Sequence, residues 1–399
     1  MARTPTRTYS VHELLHFYPW NLSMIFFNYF TRLMMFVTRL SHQKIIEMTN
    51  NVPCFFKQII KYQILRIKVL NQVKIETPLM SKRQDYSLKR IEEYKKEINS
   101  INILSKFPNL TIYAAGSYGR LEAWKYSDID LFFLLNGSVD SEKSNINQIQ
   151  LFSNIIEISD KFGFPPFSND GEFLKVLSLD EMIEKLGGQF DDYENHFTAR
   201  MLLLLESKCL FNDRIYKDAI TKIIESYFRD YPKHKADFRP VFLINDIIRY
   251  WKTLCLNYEN KRNQPTSDPQ KKLKQKIKNF KLKISRMTTC FATIAALSCQ
   301  LDATTCESVI KLVDKTPMER LQNVVDYIPD SKDAVDSLHA EYEWFLGKTG
   351  LTQKELEGHF KDEKSREKMF DKAECYSQTM FEVVKLADKK YDVFKYLVK

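Results

Sequence analysis

Apolar and polar positions follow two rhythms along this chain. In SKRQDYSLKRIEEYKKEINSINILSKF, Leu88, Ile91, Tyr94, Ile98 and Ile101 recur at helical spacing, and Pro108 and Asn109 stop the pattern. LTIYAA is a short unbroken apolar run that predicts a strand, GSYGRLEAW a turn running into a short helix, and DIDLFFLL a second strand. Ile146, Ile149, Phe152, Ile155 and Ile156 predict a helix over 145–163, stopped by GFPPFSNDG, and GEFLKVLSL predicts a third strand. From Asp180 the rhythm is helical nearly to the end, with MLLLLESKCLF, FLINDIIRYWKTLCLNY and the 270s as its clearest members, and NQPTSDPQ (263–270) is the best internal boundary. The whole predicts an α+β fold: a helical extension at 1–81, a small mixed-sheet core at 82–180, a helical domain at 181–262, and a basic helix with a C-terminal helical bundle at 263–399.

Composition narrows the class. With 399 residues, 44% hydrophobic and 28% charged, the chain has material for a sizeable core and is not a disordered polymer. Seven cysteines, an odd number with no CxxC pair, point to free thiols and a reducing, cytoplasmic setting. The net charge of +9 sits in one place, since Lys261 to Cys290 holds ten Lys or Arg against the single acid Asp268. In the first 42 residues, Asn21, Asn28, Arg32 and Arg39 interrupt the aromatic stretch WNLSMIFFNYFTRLMMFVTRL, which argues against both a spanning helix and a signal peptide. A helix packed on the body or on a partner is the preferred reading there, with membrane contact by residues 14–42 left open.

The candidate chemistry lies at 114–135, AAGSYGRLEAWKYSDIDLFFLL. In a strand, Asp128 and Asp130 share a face while Ile129, Leu131 and Phe133 take the other. Two carboxylates so placed repel unless compensated, and oxygen ligands without His or Cys suit Mg²⁺, with Mn²⁺ as the alternative. The Gly116-Ser117 turn at a helix start offers backbone N–H groups to a phosphate, Gly116 and Gly119 allow close approach, and Arg120 adds a positive charge.

This stretch resembles the signature of the DNA polymerase β-like nucleotidyltransferases: an apolar residue, Gly-Gly or Gly-Ser, a spacer, then Asp-x-Asp or Asp-x-Glu in a strand. Its wording is closest to the domain of PII uridylyltransferases and related nucleotidyltransferases. The resemblance implies that Gly116 and Ser117 hold a nucleoside triphosphate, that Asp128 and Asp130 bind the metals, and that a helical domain completes the nucleotide cleft. It also implies a third carboxylate, for which Glu172 on GEFLKVL is first choice and Asp170 second. The long uridylyltransferases also carry an HD hydrolase domain, and here none of the seven histidines precedes an Asp. Acceptors consistent with the resemblance are a protein, a tRNA or a nucleotide 3′-OH. The last would make the chain an oligonucleotide or cyclic-nucleotide synthase of the kind found in bacterial anti-phage defence. A catalytically silent partner-binding module is the remaining alternative.

Three other features carry weaker signals. His12-Glu13-Leu14-Leu15-His16 matches HExxH, but Pro19 ends any helix within a turn and no third zinc ligand is suggested nearby. Asn245, Arg249 and Lys252 form a polar stripe on an otherwise apolar helix, read either as a solvated face or as cleft residues contacting the nucleotide, Arg249 and Lys252 above all. Lys271–Arg286, with Leu273, Ile277, Phe280 and Ile284 at helical spacing, reads either as a solvated helix or as a track for nucleic acid or an oligonucleotide.

Overall fold

The computed structural model describes residues 78–137, 144–167, 171, 174–265, 267–300, 304–389 and 392–397. The HExxH pattern, the apolar stretch at 14–42, Asp170 and Glu172 lie outside these residues. Helix α1 (Leu79–Asn99) leads into strand β1 (Leu110–Ala115), the single-turn helix α2 (Gly116–Gly119), strand β2 (Asp130–Leu135), helix α3 (Asn145–Lys161) and strand β3 (Val176–Ser178). Helix α4 (His196–Leu205) then runs into strand β4 (Ser207–Phe211), followed by α5 (Asp213–Ser226), α6 (Val241–Asn263), α7 (Pro269–Lys281), α8 (Met287–Ser298), α9 (Lys332–Thr349) and α10 (Glu363–Asp388), with shorter helices in several connections. The fold is helix-rich α+β. Residues 77–399 form one compact unit.

The sheet order is β3-β2-β1-β4. β1 is antiparallel to β2 and β4, and β2 is parallel to β3, which makes the sheet mixed. One face packs Ile112, Leu131 and Phe133 against Ile91, Tyr94 and Ile98 of α1 and Leu151 and Ile155 of α3. The other packs Tyr113, Leu134 and Leu177 against Leu203 and Leu204 of α4 and Tyr216 and Ile220 of α5. Helices on both faces explain why LTIYAA carries no polar alternation and is buried throughout.

Two expectations need correction. β4 falls within MLLLLESKCLF, where the pattern predicts continuous helix. Glu206 leaves helical geometry at φ −156° and ψ 57°, and the chain re-enters as a strand beside β1. Continuous apolar runs cannot be divided between helix and strand by periodicity alone. Also, the helix after β1 begins at Gly116 itself and lasts one turn.

In the helical region, every residue of α8 except Phe291 is buried. α8 is enclosed by α6, α10 and the helix Pro317–Tyr327. Between α7 and α8 the chain makes a π-helical turn, Leu282–Arg286. Among the described residues, no helix is long and apolar enough to cross a membrane.

Candidate active site

Pairing of β1 with β2 sets the site. Ala115 is the register partner of Asp130, so the residue that follows β1 lies beside the Asp130 carboxylate. That residue is Gly116, at φ +66°, where a Cβ would come within 2.5 Å of Asp130 Oδ2. Both the backbone angle and the approach require glycine. Gly119 is needed for a different reason, because a Cβ there would overlap the Glu206 carbonyl at the start of β4. The Gly-x-x-Gly spacing thus fits a single helical turn between a carboxylate and a neighbouring strand.

Asp128 lies in the extended lead-in to β2 and is exposed, while Asp130 opens the strand half-buried. Burial, and then the neighbouring Asp128 charge, push the Asp130 carboxyl above the usual aspartate range, while Arg286 and Arg120 pull it back. Among the described residues, neither carboxylate receives a hydrogen bond or an ion pair. A carboxylate pair without a direct hydrogen bond or ion pair, aimed into a cleft, fits divalent cations bound through oxygen.

Below the pair lies a buried ionic network. Arg120 donates from Nε to Glu122 at 2.9 Å and pairs through Nη1 with Glu206. Glu206, with no side-chain exposure, also pairs with Arg286. Tyr342 on α9 donates to the second Glu122 oxygen at 2.6 Å. Two guanidiniums and two carboxylates therefore tie the residues after α2 to β4, to the π-turn and to α9.

A cleft of about 550 Å³ opens over Asp128 and Asp130. Ser117 lies on one wall, and Lys261, Lys278, Lys281 and Arg286 come from α6, α7 and the π-turn. Trp124, Tyr126 and Tyr258 add aromatic surface. A Gly-Ser turn, a carboxylate pair and a facing wall of cations form a receptor for a polyphosphate with metals.

Residues 92–162 match the sequence model of the nucleotidyltransferase domain. No curated protein matches the chain. The nucleotidyltransferase match encloses Gly116, Ser117, Asp128 and Asp130, and it ends before β3, β4 and the cationic wall.

The structure brings together Gly116, Ser117, Asp128 and Asp130 of the residues expected from sequence. Arg120 reaches the floor of the larger cleft with its guanidinium already held by Glu122 and Glu206. Arg249 points elsewhere: it pairs with Asp192 at 2.5 Å and Asp246 at 3.5 Å, over the Phe197 ring at 3.9 Å. Lys252 is exposed and lines neither that cleft nor the smaller one beside it. The face of α6 that meets the cleft is Leu254, Asn257, Tyr258 and Lys261, a different stripe of the same helix.

Sequence reasoning marked Lys271–Arg286 as a basic segment without placing Lys278, Lys281 and Arg286 at this cleft, and it missed Lys261 and Glu206. For Lys278, Lys281 and Arg286 the signal was the phase of each cation relative to the buried positions Leu273, Phe280 and Ile284, and the π-turn disturbs that phase before Arg286. A second acidic group, Glu181 and Glu194 with His196, is drawn together by Lys185, whose ammonium lies 3.0 Å and 2.6 Å from the two carboxylates. The lysine already supplies the charge a metal would bring.

Proposed function

We propose that this chain transfers a nucleoside monophosphate from a nucleoside triphosphate to a hydroxyl acceptor, with Mg²⁺ or Mn²⁺ held by Asp128 and Asp130. The observation that carries this reading is the carboxylate pair, without direct ion-pair partners, with Asp130 packed against Gly116 and both facing Lys261, Lys278, Lys281 and Arg286 across one cleft. The amides of the Gly116-Ser117 turn and the lysines of α6 and α7 would take the β- and γ-phosphates, leaving the α-phosphate over the aspartates. The acceptor oxygen bonds to the α-phosphorus, the bond to the bridging oxygen breaks, pyrophosphate leaves, and the acceptor proton passes to solvent. The metals would supply charge neutralisation and a lowered hydroxyl pKa. Glu172 remains the proposed third carboxylate, and protein, tRNA and nucleotide hydroxyls the acceptor classes to be tested.

The test incubates full-length protein with each α-³²P-labelled nucleoside triphosphate, Mg²⁺ or Mn²⁺, and the acceptors, beside Asp128→Ala. Label transfer that disappears in the folded variant supports the reading. Equal labelling by the variant, or none from any nucleotide with any acceptor, would leave a silent module.

A further inference from the structure

The aspartate pair opens onto a second cleft. It measures about 260 Å³ and shares only Asp128, Asp130 and Arg286 with the basic one. Its body is apolar: Phe132 from β2, Phe167, Leu174, Leu177 from β3 and Leu202 from α4. Asn195 and Thr198 add two neutral polar groups. Apart from the shared Arg286, Lys175 is its one cation among the described residues, and that ammonium donates to the Glu194 carbonyl at 3.1 Å.

We infer that this apolar cleft is the acceptor site, and that it takes a small molecule whose hydroxyl is carried on a compact, uncharged, mainly apolar body. The inference rests on the transfer reading above and narrows its acceptor. Displacement at the α-phosphorus is in line, so the attacking oxygen enters opposite the departing pyrophosphate. Pyrophosphate belongs with Lys261, Lys278 and Lys281, and the nucleoside has the aromatic surface of Trp124, Tyr126 and Tyr258 in that same cleft. The cleft across the aspartates is then left for the attacking hydroxyl. A nucleic-acid strand would need cations along its phosphates, and the described residues of this wall do not supply them. Thr198 and Asn195 are placed to orient a hydroxyl-bearing body by hydrogen bonds, as sparse polar groups do in apolar pockets.

The experiment uses full-length protein and two probes. One is the neutral fluorophore N-phenyl-1-naphthylamine. The other is α,β-methylene-ATP with Mg²⁺, which binds without transfer. The expected result is simultaneous binding, with the nucleotide Kd changed less than about twofold at saturating fluorophore. Thr198→Trp, and independently Leu202→Trp in case the first fails to fold, should weaken fluorophore binding about tenfold or more and leave the nucleotide Kd within about twofold. Displacement of the fluorophore by nucleotide, or a tenfold weaker nucleotide Kd in the folded tryptophan variants, would assign the cleft to the donor base and overturn the inference. Displacement by a 12-nucleotide RNA with a free 3′-OH would overturn it in favour of a strand acceptor. No fluorophore binding, or binding untouched by both variants, also overturns it. Failure of the nucleotide to bind while the fluorophore does would sink the transfer reading instead, and with it the cleft's role as acceptor site.

Discussion

Gly116 and Asp130 compete for one small volume, which makes the turn and the carboxylate a single device. Gly116→Ala places a methyl 2.5 Å from Asp130 Oδ2 at a backbone angle of +66°. The left-handed angle costs about 1–2 kcal/mol, and the displaced carboxylate should lower kcat by about 10²-fold in a protein that still folds. Steady-state kinetics with a melting curve separates the two effects. The carboxylate pair has its own signature. Burial and Asp128 hold the Asp130 carboxyl high, so its charged form weighs against the folded state at neutral pH, and the penalty fades as falling pH protonates it. Asp130→Asn should therefore melt higher than wild type in the metal-free state at pH 7, by roughly 2–4 °C per kcal/mol of repulsion relieved. The gap should narrow as pH falls. Added Mg²⁺ should raise the melting point of wild type and leave Asp130→Asn nearly unchanged.

At the scale of elements, the cleft is made by α6, α7 and the π-turn presenting cations to the end of a sheet. Lys261→Ala and Lys278→Ala should each raise the nucleotide KM about tenfold, the value of one charged hydrogen bond, and leave kcat within a few-fold. Arg249→Ala should leave KM unchanged, since that guanidinium serves Asp192 and Asp246. These contrasts mark where sequence was legible. LTIYAA, SDIDL and Gly116-Ser117 declare themselves because a short apolar run bounded by turn residues, and turn chemistry itself, are local signals. The polar stripe of α6 does not, because Asn245, Arg249 and Lys252 look as suitable as Asn257, Tyr258 and Lys261 until tertiary packing turns one face toward the sheet. β4 was hidden for a related reason: its apolar residues Cys209, Leu210 and Phe211 follow the leucine run of α4 after only Glu206, Ser207 and Lys208.

Across the whole molecule, Glu206 joins what the sequence keeps far apart. Its carboxylate, closed to solvent, meets Arg120 after α2 and Arg286 in the π-turn, and Glu122 ties the same cluster to Tyr342 on α9. Glu206→Gln leaves two guanidiniums facing each other with one balancing carboxylate. It should destabilise the protein by about 3–5 kcal/mol, measurable by urea unfolding. No reading of the sequence pointed to this residue, because a lone Glu after a leucine run has no motif. The π-turn has a consequence for descent. One residue of an α-helix is worth about 100° of rotation. A descendant that lost a single codon from 282–286 would align with this chain almost perfectly, yet α7 would be re-phased against α8 and the Lys278 and Lys281 face swung off the cleft. Among relatives, the length of that turn should track nucleotide use more faithfully than the number of lysines does.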